Sequence, residues 1–269
     1  MRTQPLPLSS VIEVQHLSKP YGPGVYALHD LSLVIDKGEF VFLTGPSGAG
    51  KSTLLRLLLC QERPSSGSLK VDGEELAVMG ASETQAYRRH VGFVFQSFNL
   101  LPVLTAQENV MLPLQLTPLS ASERRKQAEF ALDVVGLTDR ATHRPSQLSG
   151  GQEQRVAIAR AIATDPDVII ADEPTTAVDV TIQAQILELV KSLRKELGMA
   201  IIWVTHDLGV VANLADRVMV MYSGFIVERA DVEKLYSTPK HPYTHALLRT
   251  CLLYTSPSPR DATLSRFAC

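Results

Sequence analysis

The stretch that decides the fold is FVFLTGPSGAGKST, at residues 40–53. An apolar run leads into the pattern G-x-x-x-x-G-K-[ST] and a leucine-rich segment follows, which predicts a strand, a glycine-rich loop and a helix in succession. Main-chain N–H groups of such a loop surround a β-phosphate, Lys51 reaches the β- and γ-phosphates, and the Ser52 hydroxyl ligates Mg²⁺. The residues predicted to bind the nucleotide here are Gly45, Pro46, Ser47, Gly48, Ala49, Gly50, Lys51, Ser52 and Thr53.

Two carboxylates close a second short apolar run, DVIIADE at residues 167–173. A nucleoside triphosphate bound with Mg²⁺ needs an acid at the end of a neighbouring strand, and Asp172 is predicted to be that magnesium ligand. Glu173 is predicted to polarise the attacking water as a general base. The alternative is that both acids only cap a helix ahead of Pro174, an interpretation that the phosphate loop on the same chain disfavours.

A histidine, His206, closes a third apolar run, AIIWVTH at residues 200–206. A lone histidine in such a place is more often a structural hydrogen-bonding group than a catalyst. In doubly wound sheets, however, ligands collect outside the carboxyl ends of the strands, where Gly45, Asp172 and His206 would all emerge. The sequence therefore predicts one shared site at this edge of the sheet.

Short apolar strands alternate with amphipathic helices along most of the chain, and the helices are predicted from about residue 51, at residues 182–197 and near Leu208. This alternation is typical of a parallel sheet covered by helices on both faces. Between about residues 97 and 165 helical patterns replace the strands, and one of these helices is predicted to have Ser122 as its cap. The predicted fold class is α/β: a P-loop NTPase core with a mostly parallel sheet, a β subdomain and a helical insertion.

A second glycine-rich segment, LSGGQEQRVAIAR at residues 148–160, stands where another helix is predicted to begin. Ser149, Gly150 and Gly151 leave backbone N–H groups bare at that helix start, and a helix N-terminus attracts phosphate. No lysine follows them. The segment is therefore predicted to be a second anion cradle that lacks a cation of its own.

Seven motifs along residues 11–250 occur in the order typical of ATP-binding cassette (ABC) ATPases, the nucleotide-binding subunits of ABC transporters, and the chain resembles that family. They are Tyr21, GPSGAGKST, Gln96 in VFQSFN, LSGGQ, IIADEP, Asp179 in TTAVD, and His206. The resemblance implies that two such domains pair head to tail and that the LSGGQ of one completes the ATP site of the other. The second cradle then needs no lysine, because it meets the γ-phosphate from the side opposite Lys51.

The resemblance also implies roles for single residues. Tyr21 would stack on adenine, with Tyr26 as a nearby alternative, Gln96 would sense the magnesium or the water, and His206 would contact the γ-phosphate. The catalytic residues implied are Glu173, His206 and Gln96, and the metal ligands are Ser52, Gln96 and Asp172. Beyond the phosphate loop, the nucleotide-binding residues implied are Tyr21, Ser149, Gly150, Gly151, Gln152 and Asp179.

The two halves of the chain resemble different branches of the family. The phosphate loop with RRHVGFVFQSFNLLP is similar to the cell-division and lipoprotein-release branch, whereas the part after Asp172, with HPYTHALL, is similar to oligopeptide and dipeptide importers. Such a junction fits either an unusual natural relative or a chimeric sequence. The predicted function is ATP hydrolysis that powers import of a solute, an oligopeptide or dipeptide, by ATP-driven dimerisation. The alternative is a relay of a signal to a membrane partner in cell division or lipoprotein release, without transport.

Composition disfavours several other classes of protein. Lys and Arg number 26 against 28 Asp and Glu, so no basic field is available to hold nucleic acid. The cysteines Cys60, Cys251 and Cys269 have no paired spacing, which fits a reducing compartment. No run of eighteen apolar residues occurs, so the chain is predicted not to span a membrane.

The predicted partners are a second ABC ATPase subunit, identical or different, and transmembrane permease subunits with a solute-binding protein. The predicted location is therefore cytoplasmic, on the inner face of the cell membrane and held there by the permease subunits.

The C-terminal part contains two features outside these motifs. Residues 251–269, CLLYTSPSPRDATLSRFAC, resemble translated adapter sequence and are predicted to be a non-native, disordered tail outside the fold. His241 and His245 stand four residues apart, a spacing that a metal pair can have, but Pro242 between them favours a capping or surface role.

Overall fold

Ten strands form two β-sheets in this computed structural model, which describes residues 10–22, 24–175, 178–206 and 215–253. The strands are β1 Ser10–Gly22, β2 Val25–Asp36, β3 Phe40–Thr44, β4 Ser66–Val71, β5 Glu74–Glu75, β6 Val91–Val94, β7 Val168–Asp172, β8 Ala200–Val204, β9 Arg217–Tyr222 and β10 Phe225–Asp231.

The larger sheet has the strand order β10-β9-β3-β8-β7-β6 and is parallel except for β10 at its edge. Alternate residues of β3 enter different cores: Phe40 and Phe42 pack with the helical insertion, whereas Val41 and Leu43 pack toward the smaller sheet. Both faces of the strand are buried, as expected for a parallel sheet that is covered on both sides. The predicted α/β class with a mostly parallel sheet is confirmed.

The smaller sheet is antiparallel, with the order β2-β1-β4-β5, and corresponds to the predicted β subdomain. Val14 and Leu33 from this sheet share one apolar core with Leu54 of the helix that follows the phosphate loop and with Ile202 of β8. The helix after the phosphate loop is thus enclosed between the two sheets.

Eight α-helices occur within the described residues. They are α1 Lys51–Leu58, α2 Ala81–Tyr87, α3 Ala106–Leu114, α4 Ala121–Val134, α5 Gly150–Ile162, α6 Val180–Leu197, α7 Val232–Ser237 and α8 Pro242–Leu253. Helices α3 to α5 form the predicted insertion, and residues 95–167, all of which are described, contain no strand. The helix predicted near Leu208 falls outside the described residues.

The cap of α4 differs from the prediction. Ser120, not Ser122, is the N-cap: its hydroxyl accepts the Glu123 N–H at 3.3 Å and the Glu123 carboxylate accepts the Ser120 N–H at 2.8 Å. This reciprocal capping box needs an acid or amide three residues after the cap. Ser120 has Glu123 at that position, whereas Ser122 has Arg125, so Ser122 lies within the helix.

The C-terminal helix α8 extends through Leu253, past residue 250, where the predicted domain ends. Residues 254–269, the remainder of the predicted tail, lie outside the described residues. A search of the described residues for a helix with the length and hydropathy needed to cross a bilayer finds none.

Replacing the two serines separately tests the position of the cap. We expect Ser120→Ala to lower the free energy of unfolding by about 1 kcal/mol, because the first turn of α4 loses its hydroxyl acceptor. Ser122→Ala should change it by no more than about 0.5 kcal/mol, toward greater stability, because alanine favours a helix interior. Urea denaturation followed by circular dichroism measures both values, and a larger loss for Ser122→Ala would contradict the assignment.

Candidate nucleotide-binding site

The phosphate loop connects β3 to α1 in a conformation that requires glycine at two points. Gly50 caps α1 with φ of 103°, and a Cβ there would lie 2.2 Å from the Ala27 carbonyl oxygen. A Cβ on Gly45 would lie 2.2 Å from the Met221 carbonyl oxygen. Backbone from two other strands therefore presses against the loop, and the predicted succession of strand, loop and helix is confirmed.

Lys51, the first residue of α1, turns its ammonium group back into the loop. Its Nζ donates hydrogen bonds to the carbonyl oxygens of Gly45 at 2.7 Å and Pro46 at 2.9 Å. Burial lowers the pKa of Lys51, and the carboxylates of Glu173 and Asp172 only partly oppose that shift. A half-buried cation thus stands inside a loop of bare N–H groups, an arrangement suited to a bound phosphate.

The predicted residues at the strand ends share one cavity of about 590 Å³ with this loop. Gln96 follows β6, Asp172 and Glu173 close β7, and His206 follows β8, so neighbouring strands deliver all four to one edge of the sheet. The residues of the cavity wall that were predicted from sequence are Gly45, Pro46, Ser47, Gly48, Ala49, Gly50, Lys51, Ser52, Thr53, Gln96, Asp172, Glu173 and His206.

Glu173 lies at the centre of the strand-end group. Its Oε1 lies 3.4 Å from His206 Nδ1, and its Oε2 lies 3.4 Å from Gln96 Nε2. Its backbone has φ of 44°, an uncommon value for a residue other than glycine, and its N–H donates to the Val204 carbonyl oxygen at 3.0 Å. Strained backbone of this kind concentrates at functional sites, and here it aims a carboxylate into the cavity.

Asp172 carries a charge that its surroundings disfavour. Burial and the neighbouring Glu173 raise the pKa of its carboxyl group, and Lys51 only partly offsets them. The oxygens of Asp172, Ser52 and Gln96 are the hard donors that Mg²⁺ prefers. No cluster of three or more His, Cys, Asp or Glu residues suited to a metal occurs among the described residues. These donors fit Mg²⁺, which typically binds one or two carboxylates together with substrate phosphates.

The second glycine-rich segment begins α5 as predicted. Ser149 is the N-cap: its hydroxyl accepts the Gln152 N–H at 3.3 Å, and the Gln152 side chain accepts the Ser149 N–H at 3.0 Å. At Gly151 a Cβ would lie 2.7 Å from Cγ2 of Ile182, so the first turns of α5 and α6 pack closely. Ser149, Gly150, Gly151 and Gln152 do not line the cavity of their own phosphate loop.

Two further predicted contacts also lie away from the cavity. The Tyr21 ring is 54% exposed, and its hydroxyl donates to the Glu62 carboxylate at 2.7 Å. Tyr26, the alternative, packs edge-on against the His29 ring at 4.8 Å. Asp179 caps α6 and accepts the Ile182 N–H at 2.9 Å. The nucleotide contacts of Tyr21 and Asp179 therefore stay predictions.

Sequence analysis missed four residues of the cavity wall: Ala27, Thr44, Tyr243 and Leu247. Ala27 and Thr44 line the cavity because the backbone of their strands packs beside the phosphate loop. No sequence pattern marks either residue. Tyr243 and Leu247 belong to the HPYTHALL segment, whose resemblance to peptide importers was the available signal.

Comparisons with known proteins agree with this geometry. A family model described as "ABC transporter" matches residues 28–176. The methionine import ATP-binding protein MetN of Brucella abortus (strain 2308) is 39% identical over 245 residues, which cover 91% of this chain and 66% of that protein. MetN 1 of Pseudomonas putida (strain KT2440) is 44% identical over 238 residues, which cover 87% of this chain and 71% of that protein. The chain thus spans slightly under two thirds of the Brucella relative, and both halves align with one class of protein.

Solved structures give the same result. The ATP-binding cassette MJ0796, described as dimeric in a post-hydrolysis state bound to ADP and Pi, matches with a TM-score of 0.74 and 41% identity. The match covers 82% of this chain and 98% of the cassette. A second structure of that cassette, also described as dimeric, matches equally well.

Replacing Asp172 by Asn tests the electrostatic cost at the site. Because its pKa is raised in the folded chain, Asp172 binds its proton more tightly there than when unfolded, and stability is lost as pH rises through the shifted value. We expect Asp172→Asn to raise the midpoint of thermal unfolding at pH 7 and to raise it less as the pH falls toward 3.8, the ordinary pKa of the group. Asp139→Asn, at a side chain 71% exposed, is the control and should change little. A lower midpoint for Asp172→Asn at pH 7 would contradict the prediction.

Proposed function

The chain belongs to the ABC transporter family, and from that premise we propose that it binds and hydrolyses ATP to drive import of a solute through separate membrane subunits. The observation that carries the proposal is the single cavity in which Lys51 and the glycine-rich loop face Asp172, Glu173, Gln96 and His206. This is a phosphate cradle with a cation on one side and a carboxylate base on the other.

Each group has a distinct part in hydrolysis. The loop N–H groups and Lys51 hold the β- and γ-phosphates. Glu173 takes a proton from the attacking water while the water oxygen forms a bond to the γ-phosphorus. The bond between the γ-phosphorus and the oxygen of the leaving ADP breaks, which gives ADP and phosphate. Gln96 and His206 approach the two oxygens of Glu173 and hold its carboxylate in place. Ser52, Asp172 and Gln96 would hold Mg²⁺, which neutralises phosphate charge when bound.

The second cradle supports a head-to-tail pair. The Ser149 cap and the N–H groups of Gly150 and Gly151 form an exposed helix start outside the cavity of their own chain. Such a helix start favours an anion, and the γ-phosphate at the loop of a second subunit is the anion that the pairing brings to it. Both matched structures of the similar cassette are described as dimeric. Loss of the γ-phosphate would remove this contact and let the subunits separate.

The segment after Gln96 is our proposed contact with the membrane subunits. Arg160 of α5 donates 2.7 Å hydrogen bonds to the carbonyl oxygens of both Phe98 and Asn99, which hold the segment against the insertion. Beyond it, Leu101 is 45% and Val103 72% exposed, so an apolar edge follows Gln96 along the chain. Docking here would place the chain on the inner face of the cell membrane, bound to permease subunits that work with a solute-binding protein.

The class of cargo rests on resemblance alone. The relatives are named methionine importers, whereas HPYTHALL resembles oligopeptide and dipeptide importers. We propose an amino acid or a short peptide, and the predicted peptide cargo stays part of that proposal. The resemblance of the phosphate-loop half to the cell-division branch favours the second candidate, a signal relay without transport.

Mixing two inactive variants tests the shared site. Lys51→Ala damages the loop cradle and Ser149→Arg damages the second cradle, so each variant alone should hydrolyse ATP at least tenfold more slowly than the wild type. In a mixed pair one site keeps both Lys51 and Ser149. Random pairing of equal amounts makes half of the dimers mixed, with one of two sites intact, so roughly one quarter of the wild-type rate should return.

The control is a mixture of Lys51→Ala with Glu173→Gln. Both changes fall in the same cradle, so every site of the mixed pair keeps one defect and the rate should stay low. Equal rates for the two mixtures would show that each chain builds its site alone.

Transport separates the two candidate functions. Vesicles would contain this chain, the membrane subunits encoded next to it and enclosed ATP, with the binding protein and labelled methionine or dipeptide outside. We expect the label to accumulate only when ATP is present, and Lys51→Ala vesicles to accumulate none. ATP hydrolysis without accumulation of either cargo would favour the signal relay.

A further inference from the structure

The C-terminal helix α8 forms one wall of the phosphate cavity. Tyr243 and Leu247 stand four residues apart, on one face of the helix, and both line the cavity together with the phosphate loop. Thr244 and Leu248 are buried on the side that packs onto the rest of the chain. The helix therefore turns an aromatic and an aliphatic side chain toward the place where the nucleotide is proposed to bind.

The start of α8 is fixed to the central sheet. The carboxylate of Glu228, on β10, accepts the N–H groups of Lys240 at 2.7 Å and His241 at 3.0 Å. Burial alone would raise the pKa of Glu228, but the nearby Thr244 side chain and the hydrogen bonds from these two amides hold it below its usual value. The carboxylate thus stays ionised and keeps the helix start in place.

A second contact ties Tyr243 to the phosphate loop. Its ring packs against the Tyr222 ring with centroids 5.0 Å apart. Tyr222 follows Met221, whose carbonyl oxygen occupies the space beside Gly45, and the Gly224 N–H donates to the Ala49 carbonyl oxygen at 3.0 Å. The position of Tyr243 is therefore set by the same hairpin that supports the loop.

The group of α8 that can bind a ligand is the phenolic hydroxyl of Tyr243. His241 Nδ1 accepts the Tyr243 N–H at 3.2 Å, and Glu228 has taken the two preceding amides, so the helix start has few N–H groups left for an anion. The Tyr243 hydroxyl makes no hydrogen bond to any residue that the structure describes. Burial and the nearby Tyr222 raise its pKa, so it is a donor at neutral pH.

The other residues that line this cavity indicate which part of a nucleotide Tyr243 meets. The same cavity contains Gln96, Glu173 and His206, the residues assigned to the terminal phosphate, whereas Tyr21, the predicted adenine contact, lies outside it. We propose, on the basis of the ATPase function above, that Tyr243 is a further binding residue whose hydroxyl donates a hydrogen bond to the terminal phosphate of a bound nucleoside triphosphate.

Nucleotide binding by three variants tests the proposal. Tyr243→Phe removes only the hydroxyl, and Tyr243→Ala also removes the ring that packs on Tyr222. His245→Ala changes an exposed residue of the same helix that does not line the cavity and serves as the control. Calorimetry would give the Kd of each protein for the non-hydrolysable triphosphate AMP-PNP and for ADP, both with Mg²⁺.

We expect Tyr243→Phe to weaken AMP-PNP binding by about three- to tenfold, the loss of one hydrogen bond, and to leave ADP binding within about twofold. His245→Ala should match the wild type for both nucleotides. Equal weakening for AMP-PNP and ADP would overturn the proposal, since it would mean that Tyr243 only supports the loop. Unchanged AMP-PNP binding by Tyr243→Phe would overturn it too, whatever the effect of Tyr243→Ala.

These results separate the proposal from the function on which it rests. If the wild type binds AMP-PNP and the Tyr243 variants bind it equally well, the proposed contact of the Tyr243 hydroxyl is wrong but the ATPase function is not contradicted. A wild-type chain that binds neither nucleotide removes both.

Discussion

The close approach of two backbone segments, strand β2 and the β9–β10 hairpin, to the glycine-rich loop is the constraint on which the rest of the structure depends. The Met221 carbonyl of β9 occupies the space of a Gly45 Cβ, and the Ala27 carbonyl of β2 occupies that of a Gly50 Cβ. The Ala49 carbonyl in turn accepts the Gly224 N–H at 3.0 Å. The loop is therefore clamped between the central sheet and the antiparallel sheet. A side chain at either glycine would force these elements apart. The shape of the phosphate cradle and the packing of the two sheets therefore depend on the same two glycines.

Charge at the site follows from this enclosure. Burial lowers the pKa of Lys51 and raises that of Asp172, so both charged forms are less favourable there than in water. The Lys51 ammonium donates hydrogen bonds to two carbonyl oxygens of its own loop. Glu173, next to Asp172 in the chain, has a strained backbone with positive φ. A bound phosphate with a divalent cation would supply both missing countercharges. The buried charges that suit the site for binding thus lower the stability of the folded chain, as is common where activity needs a preorganised site.

The parts that sequence predicted are those fixed by local pattern. The phosphate loop, the strands ending at Asp172 and near His206, and the Ser149 cap each depend on residues a few positions apart. The predicted N-cap of α4, Ser122, was wrong because the capping box needs an acid three residues after the cap, and only Ser120 has one. Tyr243 was missed for a different reason: it reaches the cavity through the hairpin of β9 and β10, a long-range packing that no local pattern encodes.

Helix α5 connects the two cradles mechanically. Its first turn packs against Ile182 so closely that a Cβ at position 151 would require the Ile182 side chain to shift, and near its other end Arg160 holds the carbonyls of Phe98 and Asn99. The helix is about 20 Å long, so these contacts sit at opposite ends of a stiff rod. Gln96, which touches Glu173, is two residues before the held segment. A phosphate that draws the Ser149 end of α5 toward another subunit would therefore act on the neighbourhood of Glu173, the proposed catalytic base, in its own chain. The exposed edge at Leu101 is hydrogen-bonded through its backbone to Asn109 of α3, and α3 packs on α5, so the same displacement would be passed on to that edge.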